Sequence, residues 1–244
     1  MRATASAIRY FSVIPFGRTD ASPPDRFAIV MLPLVGAGIG AASGAAGMLV
    51  ARWAAEPWPA LVAFAAAVLL SGAIHIDGFL DCCDGVLASV PPQRRLEILK
   101  DPRHGTYAVV GMVLLALFWI AALQRITPAH LVLALTLSGA LARLTAVPLL
   151  RLFRYAYAES VARSSEMPGE VAAFAVLTLG IALLAAAISP WALLLVPAAF
   201  VLAAAIAWGC SRRLGGVVTG DVYGAAIVLV EDALLVALGF FPWR

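Results

Sequence analysis

The stretch His75-Ile76-Asp77-Gly78-Phe79-Leu80-Asp81-Cys82-Cys83-Asp84-Gly85 follows directly on residues 57–74, which carry no charge. Its carboxylates fall at i, i+4 and i+7. At 3.6 residues per turn, that spacing puts all three on one stripe of a helix. An apolar segment of membrane length therefore ends in a cluster of three negative charges. Such a cluster is costly without a cation, and hard oxygen ligands suit Mg²⁺ best. The pattern reads as a Mg²⁺ site at a membrane surface, built to hold phosphate, with Asp77, Asp81 and Asp84 as ligands. The plain alternative is a solvated acidic helix end.

The rest of the chain agrees with a membrane setting. Hydrophobic residues make up 63% of the sequence and charged ones only 13%, far outside the soluble range. Apolar runs long enough to cross a bilayer recur throughout and lack the polar face of a soluble helix. The fold class is all-α: a polytopic membrane bundle of about seven helices in a single domain, 1–244. The segments are expected at 27–51, 57–76, 106–124, 129–150, 170–188, 190–209 and 224–241. Ser189-Pro190 marks a tight hairpin, and Gly36, Gly40, Gly44 and Gly47 mark a close helix contact. Cys82, Cys83 and Cys210 lack metal-type or disulfide-framework spacing. Arg2 and Arg9 precede any long apolar run, so no cleavable signal peptide is expected. No lysine-rich patch points to nucleic acid.

Arginine and lysine orient the bundle. Arg2, Arg9, Arg18 and Arg26 lie before the first segment. Arg94, Arg95, Lys100 and Arg103 follow the second, Arg151, Arg154 and Arg163 the fourth, and Arg212 and Arg213 the sixth. The opposite face has Arg52, Arg125 and Arg244. The positive-inside rule then puts the N-terminus and the acidic stripe in the cytoplasm. On residues 93–100, Leu96 and Leu99 are expected to rest on the membrane, with Arg94 and Arg95 turned to water or phosphate.

Three further elements suit a diphosphate. Lys100-Asp101-Pro102-Arg103-His104-Gly105-Thr106 offers cations for non-bridging oxygens, although topology alone also predicts basic residues here. Gly215-Gly216-Val217-Val218-Thr219-Gly220-Asp221 reads as an anion-binding turn before the last helix, or as a simple cap by Thr219 or Asp221. Arg143 and Glu231 are charges inside apolar segments, where insertion costs about 2.5–3.5 kcal/mol each. They are expected to pair, for function or for structure alone. His75 is either a structural hydrogen bonder or a group that orients a carboxylate or deprotonates a hydroxyl.

The acidic stretch resembles the H-x-D-G-x-x-D-x-x-D-G signature of the cobalamin synthase (adenosylcobinamide-GDP ribazoletransferase) family. Arg95-Leu-Glu-Ile-Leu-Lys-Asp-Pro-Arg-His-Gly-Thr106 is similar to that family's R-x-E-I-M-K-D-S-R-x-G-T. Pro33-Leu-Val-Gly36, Thr219-Gly-Asp-Val-Tyr-Gly-Ala-Ala-Ile227 and Tyr10-Phe-Ser-Val-Ile-Pro15 resemble further family segments in the same order. The chain departs from the pattern at Val13, Pro102 and Val228, and in the spacing of Gly215-Gly216 to Thr219. The resemblance implies a Mg²⁺-dependent bacterial inner-membrane transferase with its active face in the cytoplasm. It would join adenosylcobinamide-GDP to α-ribazole or its 5′-phosphate and release GMP. It also implies a site with His75, Asp84 and Glu231 as catalytic residues and Asp77, Asp81 and Asp84 as metal ligands. Arg95, Lys100, Arg103, Thr106, Arg143, Arg154, Thr219 and Asp221 would bind substrate. A homo-oligomer is left open.

Two other functions compete. A CDP-alcohol phosphatidyltransferase does analogous chemistry, but its D-x-x-D-G-x-x-A-R order is absent. A cation-coupled transporter predicts broken helices and midplane carboxylates in an inverted repeat, and no repeat is visible.

Overall fold

The computed structural model describes residues 2–13, 26–157, 169–240 and 243. Ile14, Pro15, Arg18, Arg163 and Arg244 of the sequence argument lie outside them. The described residues are helical throughout, apart from turns and one isolated parallel bridge between Tyr155 and Val218. In chain order the helices are α1 (Arg2–Phe11), α2 (Arg26–Val30), α3 (Leu32–Val50), α4 (Trp58–Ser71), α5 (Ile74–Leu87) and α6 (Pro92–Ile98). Then come α7 (Thr106–Gln124), α8 (Leu131–Leu144), α9 (Ala146–Leu152), α10 (Glu170–Ile188), α11 (Leu195–Arg213) and α12 (Gly220–Leu238).

Among the described residues, five stretches are long and apolar enough to cross a membrane: Phe27–Val50, Thr106–Gln124, Pro128–Leu152, Glu170–Ile188 and Pro190–Arg213. The α4–α5 pair makes a sixth if counted as one span. Two of the seven expected segments fall outside these five. The second segment is broken, and α12 carries Asp221, Glu231 and Asp232, which take it out of the purely apolar class.

The centre of the bundle is α3 against α8. A Cβ on Gly36 would collide with the Gly139 carbonyl, and one on Gly40 with the Leu135 carbonyl. Glycine at these two positions lets the backbones touch, as small residues do in membrane bundles. Beside this pair, α12 lies between α5 and α8, and its Ala225, Ala226 and Ile227 are buried.

The second expected segment, 57–76, does not run straight. The chain turns by 92° between α4 and α5. Gly72 (φ 61°) and Ala73 (φ 56°) both adopt the left-handed conformation. Glycine does so freely, whereas alanine loses about 1–2 kcal/mol there. Two bonds hold the turn: the Ala73 N–H donates to the Val68 carbonyl (3.1 Å) and to the Ser71 hydroxyl (3.3 Å). The acidic stripe thus sits on a helix of its own, laid across the end of α4.

Candidate active site

On α5, Phe79, Cys82, Cys83 and Val86 are buried, and this apolar face turns the carboxylates of the opposite face outward. The Asp77 side chain is 66% exposed and Asp81 16%. The first turn of α12 closes onto the same face. A Cβ on Gly78 would lie 2.9 Å from the Asp221 Cα, so Gly78 is what lets Asp221 approach the stripe. Thr219, fully buried, precedes α12 without capping it by its side chain; its hydroxyl donates to Asp221 Oδ2 instead (2.9 Å). Asp77, Asp81 and Asp221 therefore converge from two elements and repel one another.

The basic side chain set against this cluster is a histidine. His104 places Nε2 3.7 Å from Asp77 and Nδ1 3.7 Å from Asp81. Its only signal in the sequence is its place in the Asp101–Thr106 motif.

Asp84, expected as the third metal ligand, has another partner. Its carboxylate accepts the backbone N–H groups of Gly105 and Ala108 (3.1 Å for the latter), at the start of α7. Free N–H groups at a helix start attract an anion. Among the described residues, no three His, Cys, Asp or Glu side chains form a ready cage for one ion. The donors that converge are hard oxygens, and Mg²⁺ is usually held by one or two carboxylates plus water and substrate phosphate. The carboxylates of Asp77, Asp81 and Asp221 are donors of the kind Mg²⁺ takes, while that of Asp84 is engaged with backbone N–H groups.

The basic residues divide unevenly. Arg95 donates to the Val90 (2.8 Å) and Val86 (2.5 Å) carbonyls, ending α5 rather than facing phosphate. Arg94 pairs with Glu97 (2.6 Å). Leu99 packs on Gly85 inside the protein, not on the membrane. Arg103 forms a two-bond pair with Asp101 (2.9 and 2.7 Å) and holds that carboxyl down at about 2, so the pair is formed at neutral pH. Lys100 stands 4.5 Å over the Tyr157 ring, and Thr106 and Arg154 are exposed. Gly215 and Gly216 (φ 78° and 89°) are not an anion nest at α12. The Gly216 N–H donates to the Ser211 carbonyl (2.8 Å) and ends α11, the usual work of glycine after a helix.

Arg143 and Glu231 meet as expected, Nη1 to Oε2 at 3.0 Å, deep between α8 and α12. His75 faces the same interior, only 7% exposed and stacked on Phe11 (ring centroids 5.8 Å). A base for an incoming hydroxyl must be reachable. His75 is buried and the Glu231 side chain is 12% exposed, so both stand in the interior rather than on the open face with the carboxylates. Tyr155 and Tyr223 stack beside Asp221 (6.0 Å), a contact that no spacing in the sequence announces.

Residues 3–239 match the cobalamin-5-phosphate synthase family. The chain belongs to that family. It is 34% identical over 215 residues to the adenosylcobinamide-GDP ribazoletransferase of Klebsiella pneumoniae (strain 342), covering 86% of each chain. It is 33% identical over 214 residues to the enzyme of the same name from Escherichia coli (strain K12 / DH10B), again covering 86% of each. No solved structure matches. As a cobalamin-5-phosphate synthase family member, this chain is a membrane-helical transferase of cobalamin biosynthesis.

Proposed function

We propose that the chain transfers the adenosylcobinamide-phosphate group of adenosylcobinamide-GDP to the ribose hydroxyl of α-ribazole or its 5′-phosphate. The hydroxyl oxygen forms a bond to the cobinamide-linked phosphorus. The bond from that phosphorus to the GMP oxygen breaks, GMP leaves, and the hydroxyl proton passes to solvent. The observation that carries this reading is the convergence of Asp77, Asp81 and Asp221 at one end of the bundle. No Arg or Lys is paired to them among the described residues.

Asp77, Asp81 and Asp221 would hold Mg²⁺. When bound, the ion would neutralise the diphosphate and the charge growing on the departing GMP. Thr219 keeps the Asp221 carboxylate turned to the site. His104, Lys100 and exposed Arg154 lie on the same side and suit the outer phosphate oxygens. Catalysis of this kind rests on positioning and electrostatics, which matches a site built from fixed helix ends. By the arginine count, this face is the cytoplasmic one of a bacterial inner membrane.

The test is GMP release by purified enzyme in detergent, where a transporter would have no sealed compartment to work across. Asp81→Asn keeps size and removes charge. Turnover should fall by orders of magnitude while the protein still inserts and folds. Wild-type GMP release from this variant would remove the metal assignment.

A further inference from the structure

A cavity of about 40 Å³ lies inside the bundle between α4, α5, α7, α8 and α12. His75, Arg143, Glu231 and Ser71 give it polar walls, and Phe64 and Trp119 give it apolar ones. Its polar side is unfinished. Both ring nitrogens of His75 and the Nε of Arg143 are buried without a protein partner. Arg143 is only 4% exposed, and its Nη1 is shared between Glu231 and the Gly139 carbonyl (2.9 Å). Buried polar groups are rarely left unpaired, and water is the usual partner where there is room.

We propose that this cavity is an internal hydration site for about three water molecules, which join His75 to the Arg143–Glu231 pair. The volume sets the number, since one water needs about 10–15 Å³ measured this way. The wall chemistry sets the ligand class. A metal cation would face the Arg143 guanidinium, and an anion would face the Glu231 carboxylate. The His75 ring offers one donor and one acceptor, and Arg143 Nε offers a donor. A small neutral molecule that both donates and accepts satisfies all of them.

This site lies directly behind the acidic helix. His75 occupies the first turn of α5, and a Cβ on Gly224 of α12 would come within 3.1 Å of its carbonyl. The waters therefore tie the start of α5 to a fixed ion pair on α8 and α12. His75, Arg143 and Glu231 are positioning residues: they set where the carboxylates stand without touching substrate. That second half rests on the proposed reaction; the hydration itself does not.

The experiment uses the full chain in lipid nanodiscs, irradiated with X-rays in ¹⁸O water, with oxidised side chains read by mass spectrometry. Ordered water beside a ring labels it, so Trp119, although only 5% exposed, should take up ¹⁸O in the wild-type chain. Ala67→Leu fills the cavity and His75→Leu removes its polar wall, and each should lower Trp119 labelling severalfold. His75→Gln should keep it. Trp119 labelling that is absent in the wild-type chain, or unchanged in both variants, overturns the hydration site.

For the positioning role, His75→Leu should lose turnover while its unfolding temperature holds or rises, because an unpaired polar group has gone. His75→Gln should restore much of the turnover. Stability and turnover falling together, with no rescue by Gln, makes the residue a packing element and overturns the role. A wild-type chain that releases no GMP would refute the assigned reaction, and the labelling result would still decide the hydration.

Discussion

Asp84 occupies the same stripe in the helical repeat as Asp77 and Asp81, yet it has different partners. A residue's place on its own helix says nothing of a helix start that arrives from elsewhere in the chain, and α7 brings two N–H groups to this carboxylate. Replacing a helix cap by Ala typically costs about 0.5–2 kcal/mol. Asp84→Ala should therefore lower the unfolding temperature, measured in detergent, and leave the Mg²⁺ concentration for half-maximal activity near the wild-type value. Asp77→Asn should do the reverse. The buried pair was the more legible feature: Arg143 and Glu231 are charges in apolar segments, and each needs the other. Arg95 and Arg103 were less legible. An arginine at a helix end serves phosphate, carbonyl or carboxylate equally well on paper, and here Val86, Val90 and Asp101 claim them.

The helices themselves were readable from apolar length, since the expected 106–124 and 170–188 are those of α7 and α10. Direction was not. Hydropathy is blind to a turn inside an apolar run, and Gly72-Ala73 gives no punctuation beyond one glycine, so 57–76 read as straight. The glycines of α3 allow a matched test at this scale. Gly40 has the Leu135 carbonyl against it, whereas Gly38 has nothing within 4 Å. Gly40→Val should lose at least about 1–3 kcal/mol through overpacking, with the α3–α8 contact forced apart. Gly38→Ala should be neutral or gain up to about 1 kcal/mol from helix propensity. Thermal unfolding of the two variants side by side decides it, and equal loss in both would refute the close-contact account.

For the whole molecule, the arginine pattern gives an orientation that can be tested directly. Single cysteines at Ser89 and Arg213, both exposed, are placed in a background lacking Cys82, Cys83 and Cys210. Both should resist an impermeant thiol reagent in intact cells and react once the membrane is opened. Labelling from outside would invert the topology and take the site from the cytoplasm. The class of fold followed from composition alone. The site was half legible, because Asp221 and Asp81 meet through packing at Gly78 that only the folded chain reveals.

The right-angle turn after α4 has one more consequence. At 1.5 Å per residue, the 14 residues of Trp58–Ser71 reach only about 21 Å, short of the roughly 30 Å hydrocarbon layer. Lipid beside α4 must shorten to match, or water must dip inward there, at a modest energy per ångström of mismatch. The carboxylates would then stand in a dimple below the surrounding headgroups, and turnover should depend on acyl-chain length. Vesicles of shorter-chain lipids should support faster GMP release than those of long-chain lipids, and a flat response across chain lengths would show that the membrane pays no heed to the bend.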